Sequence, residues 1–436
     1  MKRRLLPILM TLVLVCALPI WAAFVTSGDV TNPLLTTADA TELTLQGMID
    51  KANAGDTIKL NSSTEIAATL QITKNLTLDL NGYVLKMTGT GSVLYVHNGA
   101  TLTITDSSAE GTGTITGGNA GDAGDGGGVY VEAYATLEMT GGCITGCRAE
   151  DGGGVYIDNN ATLKMTGGCI TDCHASYGGG IYSYGNLYMG GTAKIEKCTS
   201  NGGSYDAIWN AGGNIYAAGG TVDGMVNNQG AIKHSNGVTA VTVFNGTVYN
   251  RARKSIEAGI YNGTVENTGS ITGGTFYDAV TNRKASLSFM TEAGTISGGT
   301  FYGSIVNEGG PEQVADSAKV AVTFNTDGDT SVIEEKVLRG QKVPNPAVPT
   351  KSGHTFIGWY LGGEKYNFDT PITAPLTLTA RWEKVPSSGG YYYYPTTDTK
   401  ADDAKSSPKT ADPGVALYAA LSLLSLTGLT CTTKKR

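Results

Sequence analysis

The sequence predicts an all-β fold built around a right-handed parallel β-helix (solenoid) with an N-terminal capping helix. Three observations carry this. Gly126-Gly127-Gly128-Val129-Tyr130 recurs as Gly152-Gly153-Gly154-Val155-Tyr156 and as Gly178-Gly179-Gly180-Ile181-Tyr182, at a step of 26 residues both times. Each period holds two further short segments of alternating polarity. One is Thr136-Leu137-Glu138-Met139-Thr140, then Thr162-Leu163-Lys164-Met165-Thr166, then Asn186-Leu187-Tyr188-Met189. The other is Cys143-Ile144-Thr145, Cys169-Ile170-Thr171 and Ala193-Lys194-Ile195. Alternation puts one face in and one face out. A unit this small cannot bury its own apolar face, but stacked units form a continuous column. A β-propeller blade needs about 40 residues and four strands, so the period is too short for one.

The elements follow in chain order. Lys2, Arg3 and Arg4, the apolar stretch 5–20, and the small residues Ala22 and Ala23 read as a secretory signal peptide over residues 1–23. Residues 43–54 (LTLQGMIDKANA) make an amphipathic helix with Leu45, Met48 and Ile49 on one face, ended by Gly55-Asp56. It is expected to cover the open end of the column, since solenoids need capped ends. The β-helix is expected over residues 41–308. Residues 69–73, 76–80 and 101–105 share the alternation upstream. Downstream the motif becomes Gly219-Gly220-Thr221-Val222, Asn245-Gly246-Thr247-Val248, Asn262-Gly263-Thr264-Val265, Gly273-Gly274-Thr275-Phe276 and Gly298-Gly299-Thr300-Phe301. That amounts to about ten coils, or a column about 50 Å long at about 4.8 Å per coil. The opening resembles that of pectin-lyase-like β-helix proteins. The glycine-triplet repeats resemble bacterial surface β-helix proteins of the adhesin and autotransporter-passenger type. This resemblance implies a fold and no particular activity.

Composition narrows the function. Glycine supplies 61 of 436 residues, charged residues are 16% and the net charge is -7. Glycine is thus about twice as frequent as usual and charge is sparse. The absence of a G-X-Y period excludes collagen. The acidic balance argues against nucleic-acid binding, which needs a basic face. The four histidines, His97, His174, His234 and His354, lie far apart, leaving little for a His-rich metal site.

Cys143, Cys147, Cys169, Cys173 and Cys198 fall at the coil step and therefore stack on neighbouring coils. Stacked Cα atoms about 4.8 Å apart lie within disulfide reach. One or two cross-coil disulfides and a buried sulfur ladder both fit, and the odd count leaves at least one free thiol. Residues 117–126 faintly resemble glycine-aspartate calcium repeats, but the segment occurs once and lacks the apolar position, so it reads as a solvated turn.

Many β-helix proteins are polysaccharide lyases or hydrolases. Lyase chemistry needs clustered acids and an arginine or lysine base on one face. Hydrolysis needs paired aspartates. The sequence displays no compact acid cluster repeated on adjacent coils. Asp106, Asp122, Asp125, Arg148 and Asp151 fall near coil corners, Arg251 and Arg253 come much later, and each reads as a solvated turn charge. No catalytic, cofactor-binding or metal-ligating residue is assigned, and no cofactor is expected.

Residues 319–384 change character, running from VTFNTDGD through PTKSGHTFIGWY to LTLTARW. This segment resembles the Listeria–Bacteroides repeat of the internalin B type. The resemblance implies a small β-grasp-like module of cell-surface proteins with Phe324, Phe356, Trp359, Phe368 and Trp382 as its core. Residues 385–406 form a low-complexity linker that cannot build a core.

Residues 407–436 have three parts: Ser407-Pro408-Lys409-Thr410-Ala411-Asp412, a nearly uncharged stretch 415–433, and Lys434-Lys435-Arg436. The stretch is long enough to span or nearly span a bilayer. The layout resembles the sorting signal of Gram-positive surface proteins, with Ser407 in place of leucine and Ala411 in place of glycine. The resemblance implies that a sortase-like transpeptidase cuts between Thr410 and Ala411, two residues beyond Pro408, and joins the chain to cell-wall peptidoglycan. A plain C-terminal membrane anchor is the alternative. Removing residues 1–23 takes three positive charges and removing 411–436 a net two more, leaving about -12.

The expected protein is therefore extracellular, wall- or membrane-anchored and adhesin-like, binding glycans or host and neighbour-cell proteins without catalysis. A polysaccharide lyase or glycoside hydrolase is the first alternative, favoured by converging carboxylates on adjacent coils. A structural surface spacer is the second.

Overall fold

The computed structural model describes residues 24–26 (backbone only), 44–201, 206–283, 294–308 and 313–386. The expected signal peptide, nearly all of the linker and the sorting segment with Pro408, Thr410 and Ala411 lie outside the described residues. Among the described residues no helix is long and apolar enough to cross a membrane.

The chain winds into a parallel β-helix with three strand faces. One face is an 11-stranded sheet that starts at Leu70–Ile72 and ends at Ile305–Asn307. The other two faces merge because Asn186–Glu196 and Asn214–Asp223 each run unbroken around one corner. Eleven coils therefore stand where the repeat predicts about ten. The glycine triplets lie in register: Val129 pairs with Val155 and Val155 with Ile181. Their backbones also bond across coils, with Gly128 N donating to Gly153 O at 3.1 Å.

The triplets have a steric cause. Gly126, Gly152 and Gly178 sit at φ near +60° (66, 64 and 59°), a region that L side chains avoid. At Gly154 a Cβ would lie 2.5 Å from Ile170 Cγ2 and 2.6 Å from Gly180 O. The next coil packs too close for any side chain there.

Inward residues form columns. Leu70, Leu94, Val129, Val155, Ile181, Ile208, Val226, Val248, Val265, Val280 and Ile305 stack one per coil, all buried. Each such aliphatic side chain contributes about 1.5–3 kcal/mol by leaving water. Two residues on, the column reads Ile72, Val96, Val131, Ile157 and Ser183, then switches to Asn210, Asn228, Asn250, Asn267, Asn282 and Asn307. These asparagines form a ladder of amide-to-amide bonds at 2.8, 2.9, 2.7, 2.8 and 2.8 Å. The switch accompanies shorter coils, whose tight corners leave carbonyls for the amides to cap: Asn250 Nδ2 also reaches Lys254 O and Ser270 O. The same coils carry an internal stack of Phe244, Tyr261, Phe276 and Phe301, with ring centroids 5.1, 4.8 and 4.7 Å apart.

The downstream Gly/Asn-Gly-Thr motifs look alike but serve two corners. Thr221, Thr275 and Thr300 enter one face, whereas Thr247 and Thr264 lead into Val248 and Val265 of another.

Both ends are closed. The helix spans Leu45–Lys51 and buries Leu45, Met48 and Ile49. Thr44 caps it by accepting from Gly47 N at 3.1 Å. It stops short of Gly55 because Asp56 Oδ2 accepts from Asn53 N and folds the chain back. Gln46 acts as a surrogate strand, accepting from Gln71 N and donating to Gln71 O.

Residues 319–384 form a five-stranded mixed sheet, within the same compact unit as the β-helix. Lys319–Asn325 pairs parallel with Leu376–Lys384 at its centre. Phe324 and Trp359 are buried, with Phe356, Phe368 and Trp382 packed around them. The module also closes the column: Ile305 N donates to Arg339 O at 2.7 Å, and Leu338 packs on the β-helix core.

Candidate functional site

The outward residues of the 11-stranded face decide what the column presents. Because V-Y-V, V-Y-I and I-Y-S sit in register, their central residues stack outside while their flanks point in. Tyr95, Tyr130, Tyr156 and Tyr182 form one row, with ring centroids 4.8, 4.9 and 5.6 Å apart and rings near parallel. Trp209 follows on the next coil. Stacking covers most of this row: Tyr156 and Tyr182 are each only 8% exposed, and the Tyr182 hydroxyl donates to that of Tyr184. Ring faces become available at the flanks, where Tyr177 is 47% and Tyr184 40% exposed. Tyr177 meets Trp209 edge-on, and Tyr184 meets Tyr156 and Tyr182 edge-on.

Acids border this row. Asp125 and Asp151 each stand immediately before a glycine triplet, and the register makes them bridge partners on adjacent coils, with Tyr177 next in the column. This corrects the reading of both as isolated solvated corner charges: the coil step that stacks the glycines stacks the residue before them. Burial, then Glu150 and Asp158, raise the Asp125 carboxyl above its usual range. Burial, then Asp125 and Glu150, push Asp151 up to about 6. Asp151 Oδ1 is buried and has no hydrogen-bond partner. Burial, then Asp158, raise the Tyr130 phenol. The Tyr156 and Tyr182 phenols are also raised, first by burial, so all three remain protonated donors.

The remaining charged corner residues are dispersed. Asp106 anchors a turn by accepting from Gly82, Ser108 and Gly113 N–H groups. Asp122 is exposed on a loop and Arg148 is exposed on a corner beside Asn119 and His174. Arg251 bonds Asn227 and lies over Tyr249, while Arg253 is exposed. Among the described residues no group of three or more histidine, cysteine or acidic side chains is placed to hold a metal ion.

The cysteines divide into two columns. Cys143 and Cys169 form a disulfide between adjacent coils, with Cα atoms 4.5 Å apart. Cys147, Cys173 and Cys198 are free and buried. The next residue in the disulfide column is Lys194, so no third sulfur competes there.

Residues 321–381 match the Listeria-Bacteroides repeat domain. In this repeat domain the matched residues supply all but the outermost ends of the five-stranded sheet. Two relatives come from Evansella cellulosilytica. One, named as a membrane protein, is 37% identical over 65 residues, 14% of this chain and 10% of its own. The other, named as a Gly-rich membrane protein, is 35% identical over 66 residues, 14% of this chain and 8% of its own. The chain thus spans about a tenth of the curated relatives it matches. No solved structure matches it.

Proposed function

We propose that this is a surface-associated, adhesin-like protein whose β-helix binds glycans along the tyrosine row. The observation that carries this is the register of Tyr95, Tyr130, Tyr156 and Tyr182 on one outward face, flanked by exposed rings at Tyr177 and Tyr184. Phenols that both donate and accept suit sugar hydroxyls, and flanking rings suit the apolar faces of pyranoses. The repeat domain and the names of the relatives support a surface or membrane-associated setting. The sequence layout of the two ends supports export, with a sortase-like transpeptidase and peptidoglycan as anchoring partners. Binding of full-length protein to a panel of neutral oligosaccharides tests the reading. A Tyr130→Ala/Tyr156→Ala variant loses binding and Tyr277→Ala retains it; equal binding by all three proteins refutes it.

Asp125 and Asp151 on adjacent coils favour a second reading, a polysaccharide lyase or hydrolase. New reducing or unsaturated ends released by wild type and not by Asp151→Asn would establish it.

A further inference from the structure

Arg251 and Arg283 occupy equivalent places in the column but differ in how their charge is met. Each follows a ladder asparagine, Asn250 or Asn282, and both stand in one outward column fixed by the backbone bonds Arg251 N to Asn228 O and Arg283 N to Asn267 O. Each guanidinium reaches back one coil to the central residue of the facing strand. For Arg283 that residue is Glu266, which accepts from Nε and Nη2, while Glu308 accepts from Nη1 at 3.0 Å. Its charge is fully matched. For Arg251 the residue is Asn227, whose buried amide accepts from Nε at 3.0 Å. The Tyr249 ring lies under the same guanidinium, 5.4 Å from Cζ. Arg251 is therefore held in place by neutral groups alone, and among the described residues its two terminal nitrogens have no acceptor. Arg253 and Lys254 follow in the same turn, and among the described residues none of the three cations is ion-paired. The acid closest in sequence, Glu257, accepts from Ser255 at 3.0 Å. A chain of net charge -7 thus gathers three uncompensated cations within four residues.

We propose that Arg251 is an anion subsite of the glycan surface and takes an oxyanion carried by the sugar chain, a sulfate ester or a carboxylate. This rests on the glycan-binding reading and adds the charge class of the ligand. A guanidinium anchored through Nε and backed by a ring presents its terminal N–H groups in a fixed fork, which matches two oxygens of one oxyanion. Arg253 and Lys254 add to the attraction. Tyr184, 40% exposed, stands in the same column as Arg251, and only Ala211 and Gln229 come between them. Three coil steps separate the two, about 14 Å. One oligosaccharide can therefore lie on the Tyr184 ring and reach the guanidinium across small or uncharged side chains. Asp158, at the acidic end of the same column, is four steps from Arg251, about 19 Å, or more than twice the Debye length of about 8 Å. It neither neutralises Arg251 nor repels an anion bound there.

The test is calorimetric titration of the full-length protein with three probes: a neutral N-acetylglucosamine hexamer and its 6-O-sulfated and 6-carboxylated counterparts. At least one charged hexamer is expected to bind about tenfold tighter than the neutral one, with the gap narrowing as salt rises. A gain with either supports the proposal, and which one gains names the source of the oxyanion. Arg251→Gln should close the gap. Asn227→Glu should close it too, because it gives Arg251 the internal carboxylate that Arg283 already has. Arg283→Gln should leave the gap as it is. A thermal midpoint matching wild type shows that a variant is folded, and Arg251→Gln, at an exposed position, carries the test should the buried Asn227→Glu fail to fold. Equal affinity for neutral and charged hexamers overturns the proposal, as does a gap that persists in Arg251→Gln. Polyglutamate binding as tightly as the charged hexamers overturns the assignment to a glycan. If the neutral hexamer binds in a Tyr184-dependent way and charge adds nothing, only this inference fails. If no glycan binds, the underlying reading fails.

Discussion

Asp206 offers a direct check on the packing of the column. It stands two residues before Ile208, where Gly179 stands two before Ile181, its pairing partner. A carboxyl group thus occupies the place of a triplet glycine and is 1% exposed. Oδ2 accepts from Gly178 N at 3.1 Å, and Oδ1 has no partner. Burial pushes the carboxyl from 3.8 up to about 6, with the Gly178 bond pulling weakly the other way. The folded value lies above the unfolded one, so folding favours the protonated form. The native state is therefore penalised as pH rises through the window from 3.8 to about 6. At about 1.4 kcal/mol per pH unit, the penalty above that window is about 3 kcal/mol. Asp206→Asn keeps an acceptor for Gly178 and cannot ionise. Denaturant unfolding followed by circular dichroism should find the variant about 3 kcal/mol more stable than wild type at pH 7 and nearly equal to it at pH 3.5. Comparing the two proteins cancels every other titrating group. A difference that is the same at both pH values, or a wild type more stable at pH 7, refutes the reasoning.

Three further outcomes follow from the columns. Asn250→Val, a residue the same column uses at Val96 and Val131, should cost about 3 kcal/mol in a denaturant titration. It removes the bond accepted from Asn228 and the two hydrogens that Asn250 Nδ2 shares among Lys254, Ser270 and Asn267, at about 1 kcal/mol each. Gly154→Ala should cost about 3 kcal/mol in the same assay, because its Cβ meets Ile170 and Gly180. Cys143→Ser should lower stability by about 3 kcal/mol through loss of a disulfide spanning 26 residues. Reductant should bring wild type to the same value and leave the variant unchanged.

The fold was legible because each coil repeats the same problem. A glycine triplet every 26 residues marks where coils pack without room for side chains, and alternation marks which residues point in. Leu45, Met48 and Ile49 were readable as a capping face for the same reason. What escaped was the consequence of register for outward residues. The tyrosine row and the Asp125–Asp151 pair follow from the step that stacks the glycines, and D-G-G-G-V-Y, present twice, is the signal that contains both. The asparagine ladder was visible as V-N-N, V-Y-N, V-E-N and V-T-N, but a buried polar column reads as an outward one until the corner carbonyls it caps are known. Closure of the column by the repeat domain was not legible, since a sequence resemblance carries no information about which edge of a module meets its neighbour.

The central claim is that the tyrosine row is the binding surface. The most direct measurement is a crystal structure of the protein with a bound hexasaccharide. The expected result is sugar density along Tyr130, Tyr156, Tyr182 and Trp209, with a sugar ring against the exposed faces of Tyr177 or Tyr184. Density confined to the exposed Tyr277–Tyr302 pair, or to the cleft beside Glu196 and Asp223, would contradict it.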